Sequence, residues 1–550
     1  MDSSDPAVRN LALTAQAYRL IASGAVSEGT RLFDEVIATF ASLPDRYNQA
    51  SAHLNRARLL YDMGDRTAAL HDAAEARSLA VTIAHGALQV ECDEFFLHVG
   101  CDDDDEDAVN DALKDIIPAW SRQRKALRND RDRVGFADSI APITDKSVAF
   151  FLKHGKKAQA FAMMELGRAQ ALSDLMAESL AEAPAIGGSR DAGAPVGVDD
   201  ARAVLRELGN TALFVNLTYV GDELTAMLVR QSVEEPLVIS TGFTRQQIGV
   251  LLQDFNHDML QLRGQGAMIW QIAADKLVRS FERHIEPDAL VIFLIEEDLQ
   301  ILPLSGAVLT SGKYLVEHAA VGYAPSVTVL RDLAARRSRA RQRGLQQLLA
   351  VGIAFPDEAL VINQIIGGIA LTGNRLKKSD IEQTAKDSSI VHFACHGHFD
   401  AKLPAYSGLH LRSPSTTLLN DILSVQDLAQ WRLSADLVTL SACETGRGKV
   451  AVTEFLGLTR NLLATSTNAV VATLWPVQNQ PTRNFMLAFY SELRRMREET
   501  QVARVVEALC KVQRQFCRKA DFYDWAAFKV VGWPDFQFDK ETGGEKGNER

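Results

Sequence analysis

The sequence predicts a multidomain chain: an all-α helical-repeat region, then an α/β domain built on a mostly parallel sheet with helices on both faces. Three observations predict it. Small residues recur at helix-pair spacing through residues 8–180. A run rich in Ala, Gly and Pro interrupts the pattern over 181–200. From 201 onward, short β-branched runs alternate with helical segments, the order expected of parallel strands joined by crossovers. The resulting division is 8–180 for the repeats, 181–200 for a flexible linker, 201–540 for the α/β domain and 541–550 for a disordered tail.

Within 8–180, Ala17, Gly24, Gly29, Phe33 and Val36 recur in register with Ala57, Gly64, Ala69 and Ala76. These offsets are those of a tetratricopeptide helix pair, where small residues let helices pack closely. The step is 64 − 24 = 40 residues, longer than the ideal of about 34. A third, partial copy falls at Gly155, Ala160 and Gly167, whereas residues 86–140 fit the repeat poorly. Asp102 to Asp107 is a run of six carboxylates and reads as a solvated loop.

The break over Ala181 to Asp200 cannot bury enough surface to order itself and offers a site for proteolysis. Ala212–Tyr219 and Glu223–Arg230 form a hairpin turning at Gly221-Asp222. Leu251–His284 is helical, and Leu290–Ile295 is a buried strand followed by Leu302-Pro303. Arg331–Arg343 is a basic helix carrying Arg336, Arg337, Arg339, Arg341 and Arg343, read as a solvated face rather than an RNA-binding patch. Leu348–Ile353, Ile390–Ala394, Leu437–Leu440 and Ala469–Leu474 are the further strands.

Bulk properties narrow the function. The chain has 550 residues, of which 47% are hydrophobic and 23% charged, an ordinary globular balance. A net charge of −11 argues against a general nucleic-acid surface. The acidic opening Met1-Asp2-Ser3-Ser4-Asp5 lacks the basic region of a secretory signal, and no run is long and apolar enough for a membrane span. The six cysteines are scattered without a C-x-x-C pair, so free thiols and a cytoplasmic location are expected.

Two strand-ending motifs carry the chemistry. Ser389-Ile390-Val391-His392-Phe393-Ala394-Cys395-His396-Gly397 ends on a histidine, and Asp436-Leu437-Val438-Thr439-Leu440-Ser441-Ala442-Cys443-Glu444-Thr445-Gly446 ends on a cysteine. Parallel strands bring their carboxyl ends to one edge of an open sheet, where ligands bind. His396 and Cys443, 443 − 396 = 47 residues apart, could therefore face each other as base and thiol nucleophile. Gly397, lacking a side chain, lets its N–H approach a substrate oxygen, so the Gly397 and Cys443 amides are the expected oxyanion hole. Cys395 falls on the opposite side of its strand and His392 inside it, so both are read as core; His398 is read as exposed. Asp400 is close, but no carboxylate stands out as a third member. His392, Cys395, His396 and His398 lie too close together on one strand to close a zinc tetrahedron.

Residues 201–540 resemble a CHAT domain, a caspase-like cysteine peptidase of the group that includes caspases and separases. The resemblance rests on Leu299-Gln300-Ile301-Leu302-Pro303-Leu304, Tyr323-Ala324-Pro325-Ser326, the two motifs above, Leu474-Trp475-Pro476-Val477 and Trp525-Ala526-Ala527-Phe528. Residues 145–176, ending Glu165-Leu166-Gly167-Arg168-Ala169, resemble the last helical repeat before such a domain. The resemblance implies amide hydrolysis with His396 as base and Cys443 as nucleophile, and no cofactor. By analogy with caspase-like folds, Trp475, Pro476, Val477, Gln478 and Asn479 should pair with substrate backbone. Two departures stand out. Ser466-Thr467-Asn468 replaces a usual Ala-Gly-Ala and reads as a surface substitution. Gln478-Asn479 replaces a usual Asp-Asp, which points to a neutral rather than basic substrate side chain.

The function expected is a partner-regulated cysteine endopeptidase, in a setting such as bacterial defence signalling, acting on protein substrates. Its helical repeats would bind a regulatory protein or ribonucleoprotein, with no direct nucleic-acid or membrane contact. The alternative is a non-catalytic scaffold whose repeats bind proteins or a ribonucleoprotein while the peptidase-like domain only packs.

Overall fold

The structure is a computed structural model. It describes residues 6–538 apart from 44, 128–129, 169, 182–195, 252–266, 296–298, 300–301, 341–346, 374–375, 399–407, 413–420, 432, 434, 442–451, 465–466 and 476. The described residues separate into two compact units, one up to Phe150 and one from Phe151 onward.

The first unit is built from antiparallel helix pairs. These are α1 (Pro6–Ala22) with α2 (Val26–Ser42), α3 (Arg46–Asp62) with α4 (Arg66–Thr82), and α5 (Gly86–Asp103) with α6 (Glu106–Ala126); α7 (Asp130–Lys153) follows. Each turn within a pair needs one left-handed residue, and these are Gly24, Gly64 and Asp104, 40 residues apart each time (64 − 24 and 104 − 64). The same step relates the buried positions Phe33, Ala73 and Leu113, then Val36, Ala76 and Ile116, then Phe40, Ala80 and Trp120. Gly29 is small because α2 crosses α1 closely: a Cβ there would sit 2.4 Å from Ile21. Residues 86–126 are thus a third copy at the same step, against the poor fit expected from sequence. The left-handed site is filled by Asp104, one of the few non-glycine types that tolerate it, and the small core residues give way to Leu113, Ile116 and Trp120.

The acidic run is a second correction. It is solvated, as expected, but forms a helix–turn–helix junction rather than a loop. Asp102 and Asp103 end α5, Asp105 caps α6 by accepting from the Ala108 N–H at 3.0 Å, and Glu106 and Asp107 fill the first turn of α6, where the helix dipole favours negative charge. Asp102 accepts from the Lys146 ammonium at 2.7 Å and the Tyr61 hydroxyl at 2.5 Å.

The second unit holds an eleven-stranded sheet. In chain order the strands are β1 (Leu213–Val220), β2 (Glu223–Arg230), β3 (Leu237–Thr244), β4 (Leu290–Ile295), β5 (Ala320–Ala324), β6 (Gln347–Gly352), β7 (Gly368–Thr372) and β8 (Ser388–Ala394), then β12 (Leu437–Ser441), β13 (Ala469–Thr473) and β15 (Phe528–Gly532). Their order in the sheet is β3-β2-β1-β4-β5-β15-β13-β12-β8-β6-β7. Pairing is antiparallel in the β1–β2–β3 meander and between β15 and β13, and parallel elsewhere. β15 therefore joins two parallel halves. β9 (Gly397–His398), β10 (Gly408–His410) and β11 (Ile422–Ser424) form a separate antiparallel sheet, and β14 (Val502–Arg504) pairs with β16 (Asp535–Gln537).

Helices α8 (Lys157–Gly167) and α9 (Gln170–Ala181) belong to this second unit. Glu165, fully buried, accepts from the Val327 and Thr328 N–H groups and so caps the basic helix Val327–Ala340. Arg168, also buried, donates to Asn216 and to the carbonyls of Leu217 and Leu294 in β1 and β4. On the basic helix itself, Arg336 departs from the solvated face expected: it is buried and donates to the carbonyls of Leu463 at 2.7 Å, Thr467 at 3.3 Å and Ala464 at 3.5 Å. The side chains of Arg337 and Arg339, all of Arg341 and Arg343, most of the linker and the tail lie outside the described residues.

Candidate active site

β8 and β12 are continuous apolar runs because both faces of a parallel sheet are covered. They lie side by side, parallel, with Ile390 opposite Leu437, His392 opposite Thr439 and Ala394 opposite Ser441. Every pair differs by 47 in sequence, as in 441 − 394. His396 and Cys443 keep that offset, each two residues beyond the last pair. Cys443 itself lies outside the described residues, as do Gly446, Asp400 and Pro476.

His396 is half-buried. Its backbone carbonyl accepts from the His410 N–H at 2.8 Å, and the next residue, Gly397, pairs with Leu409 in the small sheet. His398 pairs with Gly408, where any Cβ would collide with the Leu423 carbonyl at 2.0 Å. The small sheet thus fixes the backbone on which the imidazole stands. Phe355, from the end of β6, meets the His396 ring edge-on at 5.3 Å. His396 Nδ1 is buried and has no hydrogen-bond partner among the described residues.

Cys395 faces away, as alternation requires. It is fully buried, 3.9 Å from the Val351 carbonyl, and burial pushes its thiol up to about 12. Burial likewise pushes up Cys92 to about 12, and Cys101 and Cys510 to about 11, and raises Cys517. None of the five described thiols is primed as a thiolate.

His392 is core, as expected, but it also anchors a polar chain that was not legible from residue pattern. Its Nδ1 lies 2.6 Å from the Thr439 hydroxyl, its Nε2 lies 3.1 Å from Glu358, and Thr439 lies 2.6 Å from the Tyr490 hydroxyl. All four are buried. Phe355 and Glu358 flank Pro356, which opens a helix just after β6; the only available signal was that this turn follows a strand ending on the same edge.

β13 pairs with β12 and leads into the expected substrate segment. Trp475 is buried, donates from Nε1 to the Tyr523 carbonyl at 2.8 Å and lies against the Tyr523 ring. Val477 is buried, while Gln478 and Asn479 are exposed. Asn479 opens the helix Asn479–Thr500, so extended backbone ends at Gln478. Upstream of β13, Thr467 and Asn468 are buried rather than on the surface. Asn468 donates to Asp436 at 2.9 Å, and its carbonyl accepts from Trp533 at 2.8 Å, which welds β12, β13 and β15 together. Among the described residues, no group of His, Cys, Asp and Glu has metal-site geometry.

These features define an α/β protein in which two neighbouring parallel strands end at Ala394 and Ser441, the first of them leading into His396. Residues 263–533 match the CHAT domain family, so the chain is a helical-repeat protein carrying a CHAT domain. The sheet begins before that match, at β1. The chain is 26% identical over 209 residues to mouse (Mus musculus) tetratricopeptide repeat protein 28 and 24% identical to its Homo sapiens counterpart. The match covers 32% of this chain and 8% of the length of those relatives. Among solved structures it is similar to a Saccharomyces cerevisiae separase–securin complex, with a TM-score of 0.48 and 8% identity over 98% of this chain and 47% of that one. It is also similar to the Arg-specific cysteine proteinase gingipain R, with a TM-score of 0.33 and 12% identity over 54% of this chain and 76% of that one.

Proposed function

We propose that this protein is a cysteine endopeptidase in which His396 takes the proton of Cys443 and returns it to the leaving amine, with the Gly397 and Cys443 amides as the oxyanion hole. The observation that carries the reading is the register. β8 and β12 are direct parallel neighbours at an offset of 47, and the two residues keep that offset just past the strand ends. The raised thiols of the other five cysteines support Cys443 as the nucleophile. Of the segment Trp475 to Asn479, the exposed Gln478 and Asn479 are the proposed substrate contacts, and they favour a neutral side chain before the scissile bond; a strict Lys or Arg preference in a peptide library would refute that preference.

The helical repeats serve to bind a regulatory protein or ribonucleoprotein partner. Residues 1–150 carry 25 acidic against 16 basic side chains, which disfavours direct contact with nucleic acid. Among the described residues no helix is long and apolar enough to cross a membrane. A cytoplasmic place and a part in defence signalling are the settings we propose.

The test is substrate trapping in the native cell. Cys443→Ala and His396→Ala should each abolish cleavage, a loss of 10³-fold or more, while Cys443→Ala retains bound substrate and partner. A cellular function that survives Cys443→Ala intact would favour a scaffold.

A further inference from the structure

We propose that the buried chain Tyr490–Thr439–His392–Glu358 is a positioning device for the dyad, holding β8 against β12 at the register that sets His396 opposite the Cys443 position. The inference rests on the peptidase reading above. Its starting point is that the chain has no simple stabilising purpose. The neighbouring cross-strand pairs Leu437–Ile390, Val438–Val391 and Leu440–Phe393 are apolar. A fourth apolar pair would hold the sheet at least as well as a buried imidazole and carboxylate.

The groups instead form one connected chain. Glu358 as a carboxylate can only accept, so His392 Nε2–H donates to it over 3.1 Å. His392 Nδ1 pairs with the Thr439 hydroxyl over 2.6 Å, and the Thr439 oxygen pairs with the Tyr490 hydroxyl over 2.6 Å, so each of the four groups has a buried partner. The four groups come from four elements: β8, β12, the helix Pro356–Ile366 and the helix Asn479–Thr500. A slip of one residue between β8 and β12 would break the His392–Thr439 bond and turn every later side chain to the wrong face. The cost of leaving these buried groups unpaired therefore fixes the register.

His392 and Thr439 share a sheet face with Ala394 and Ser441. The Ser441 hydroxyl is buried with no partner among the described residues, so the rung above adds no polar lock of its own. His392 lies four residues before His396, roughly 13 Å along a strand, and touches none of the reacting atoms. It and Thr439 are positioning residues.

The test reads Cys443 directly in the full chain: its alkylation by iodoacetamide is followed across pH by mass spectrometry of the Cys443 peptide. In the wild type the midpoint should fall below the free-thiol value of about 8.5. His396→Ala should raise it, and Thr439→Val, close in shape but lacking the hydroxyl, should raise it by about half a unit or more toward the same limit. Thr439→Ser, which keeps the hydroxyl, should restore the wild-type profile. If Thr439→Val does not fold, Tyr490→Phe carries the test with a smaller rise expected. A profile raised by His396→Ala but unmoved by the folded Thr439 or Tyr490 variant overturns this inference alone. A profile unmoved by His396→Ala overturns the dyad itself and this inference with it.

Discussion

Arg336 is buried among backbone carbonyls at the C-terminal end of the helix Val452–Ala464, the helix that follows the Cys443 segment. Burial lowers its guanidinium from the ordinary range to about 10, yet it stays charged at neutral pH and so acts as a cation at the negative end of that helix. Replacing it with Met keeps the apolar stem but leaves the Leu463, Ala464 and Thr467 carbonyls without their donor. We expect Arg336→Met to cost about 2–4 kcal/mol, read as a lowered urea midpoint of the tryptophan signal; an unshifted midpoint would show that water takes over those carbonyls. The sequence hid this residue because it stands among other arginines, and a charged run carries the periodicity of a surface. Glu358 and Lys529 were hidden for another reason, as charged residues with no charged run around them. Lys529 is buried in β15, where desolvation lowers its ammonium to about 7. Residue type alone cannot reveal a charged group whose partners are backbone atoms or distant side chains.

Elements read from sequence wherever their pattern was local. The hairpin β1–β2 turns at Gly221-Asp222 as predicted, and β4 spans the predicted residues, because buried parallel strands show unbroken β-branched runs. β5 and β15 were not legible. The first is a five-residue stretch softened by Gly322, which lies 2.8 Å from Ile292 by its absent Cβ, and the second is interrupted by Lys529. In the helical unit the repeat was legible twice and missed once, since Asp104 replaces the glycine that marked the other turns. What joins these helices is also polar. Arg56 of α3 grips Asp72 of α4 at 2.5 and 2.7 Å and reaches Asp34 of α2, and Arg77 of α4 grips Asp93 of α5 at 2.5 Å. Burial alone would raise the Asp72 carboxyl, but its bonds from Arg56 and His53 outweigh that and hold it below the usual range. A depressed acid contributes stability above its unfolded value near 4 and loses it as pH falls through the folded value. Asp72→Asn should therefore cost about 1–3 kcal/mol at neutral pH and flatten the loss of helical signal on acidification below pH 4 relative to wild type. An equally steep acid limb in the variant would assign that limb to other carboxylates.

At the scale of the molecule, the decisive question is where the unit that carries the site begins. The composition break at Ala181 suggested a boundary there, since low-complexity segments separate domains. Packing points elsewhere: the second compact unit starts at Phe151, inside α7, and takes α8 and α9 with it. The reason lies in two side chains. Glu165 supplies the cap for the helix Val327–Ala340, and Arg168 is hydrogen-bonded to the interior strands β1 and β4. Ser173 of α9 adds a 2.5 Å bond to Asp332 on the capped helix. A fragment starting at Ala201 would leave the Val327 and Thr328 N–H groups and the Asn216 side chain unsatisfied in the core, at about 1–3 kcal/mol for each buried group left unpaired. It would also expose the apolar faces that Phe161, Met164 and Leu172 now cover. Against a total stability of about 5–15 kcal/mol, such losses are enough to unfold it. We therefore expect residues 151–550 to be produced as a soluble fragment with a cooperative thermal transition, and residues 201–550 to aggregate or melt without one. Glu165→Ala or Arg168→Ala in the longer fragment should lower its transition by several degrees. Cooperative melting of the 201–550 fragment at the same temperature would return the boundary to Ala181 and make α8 and α9 part of the repeats alone.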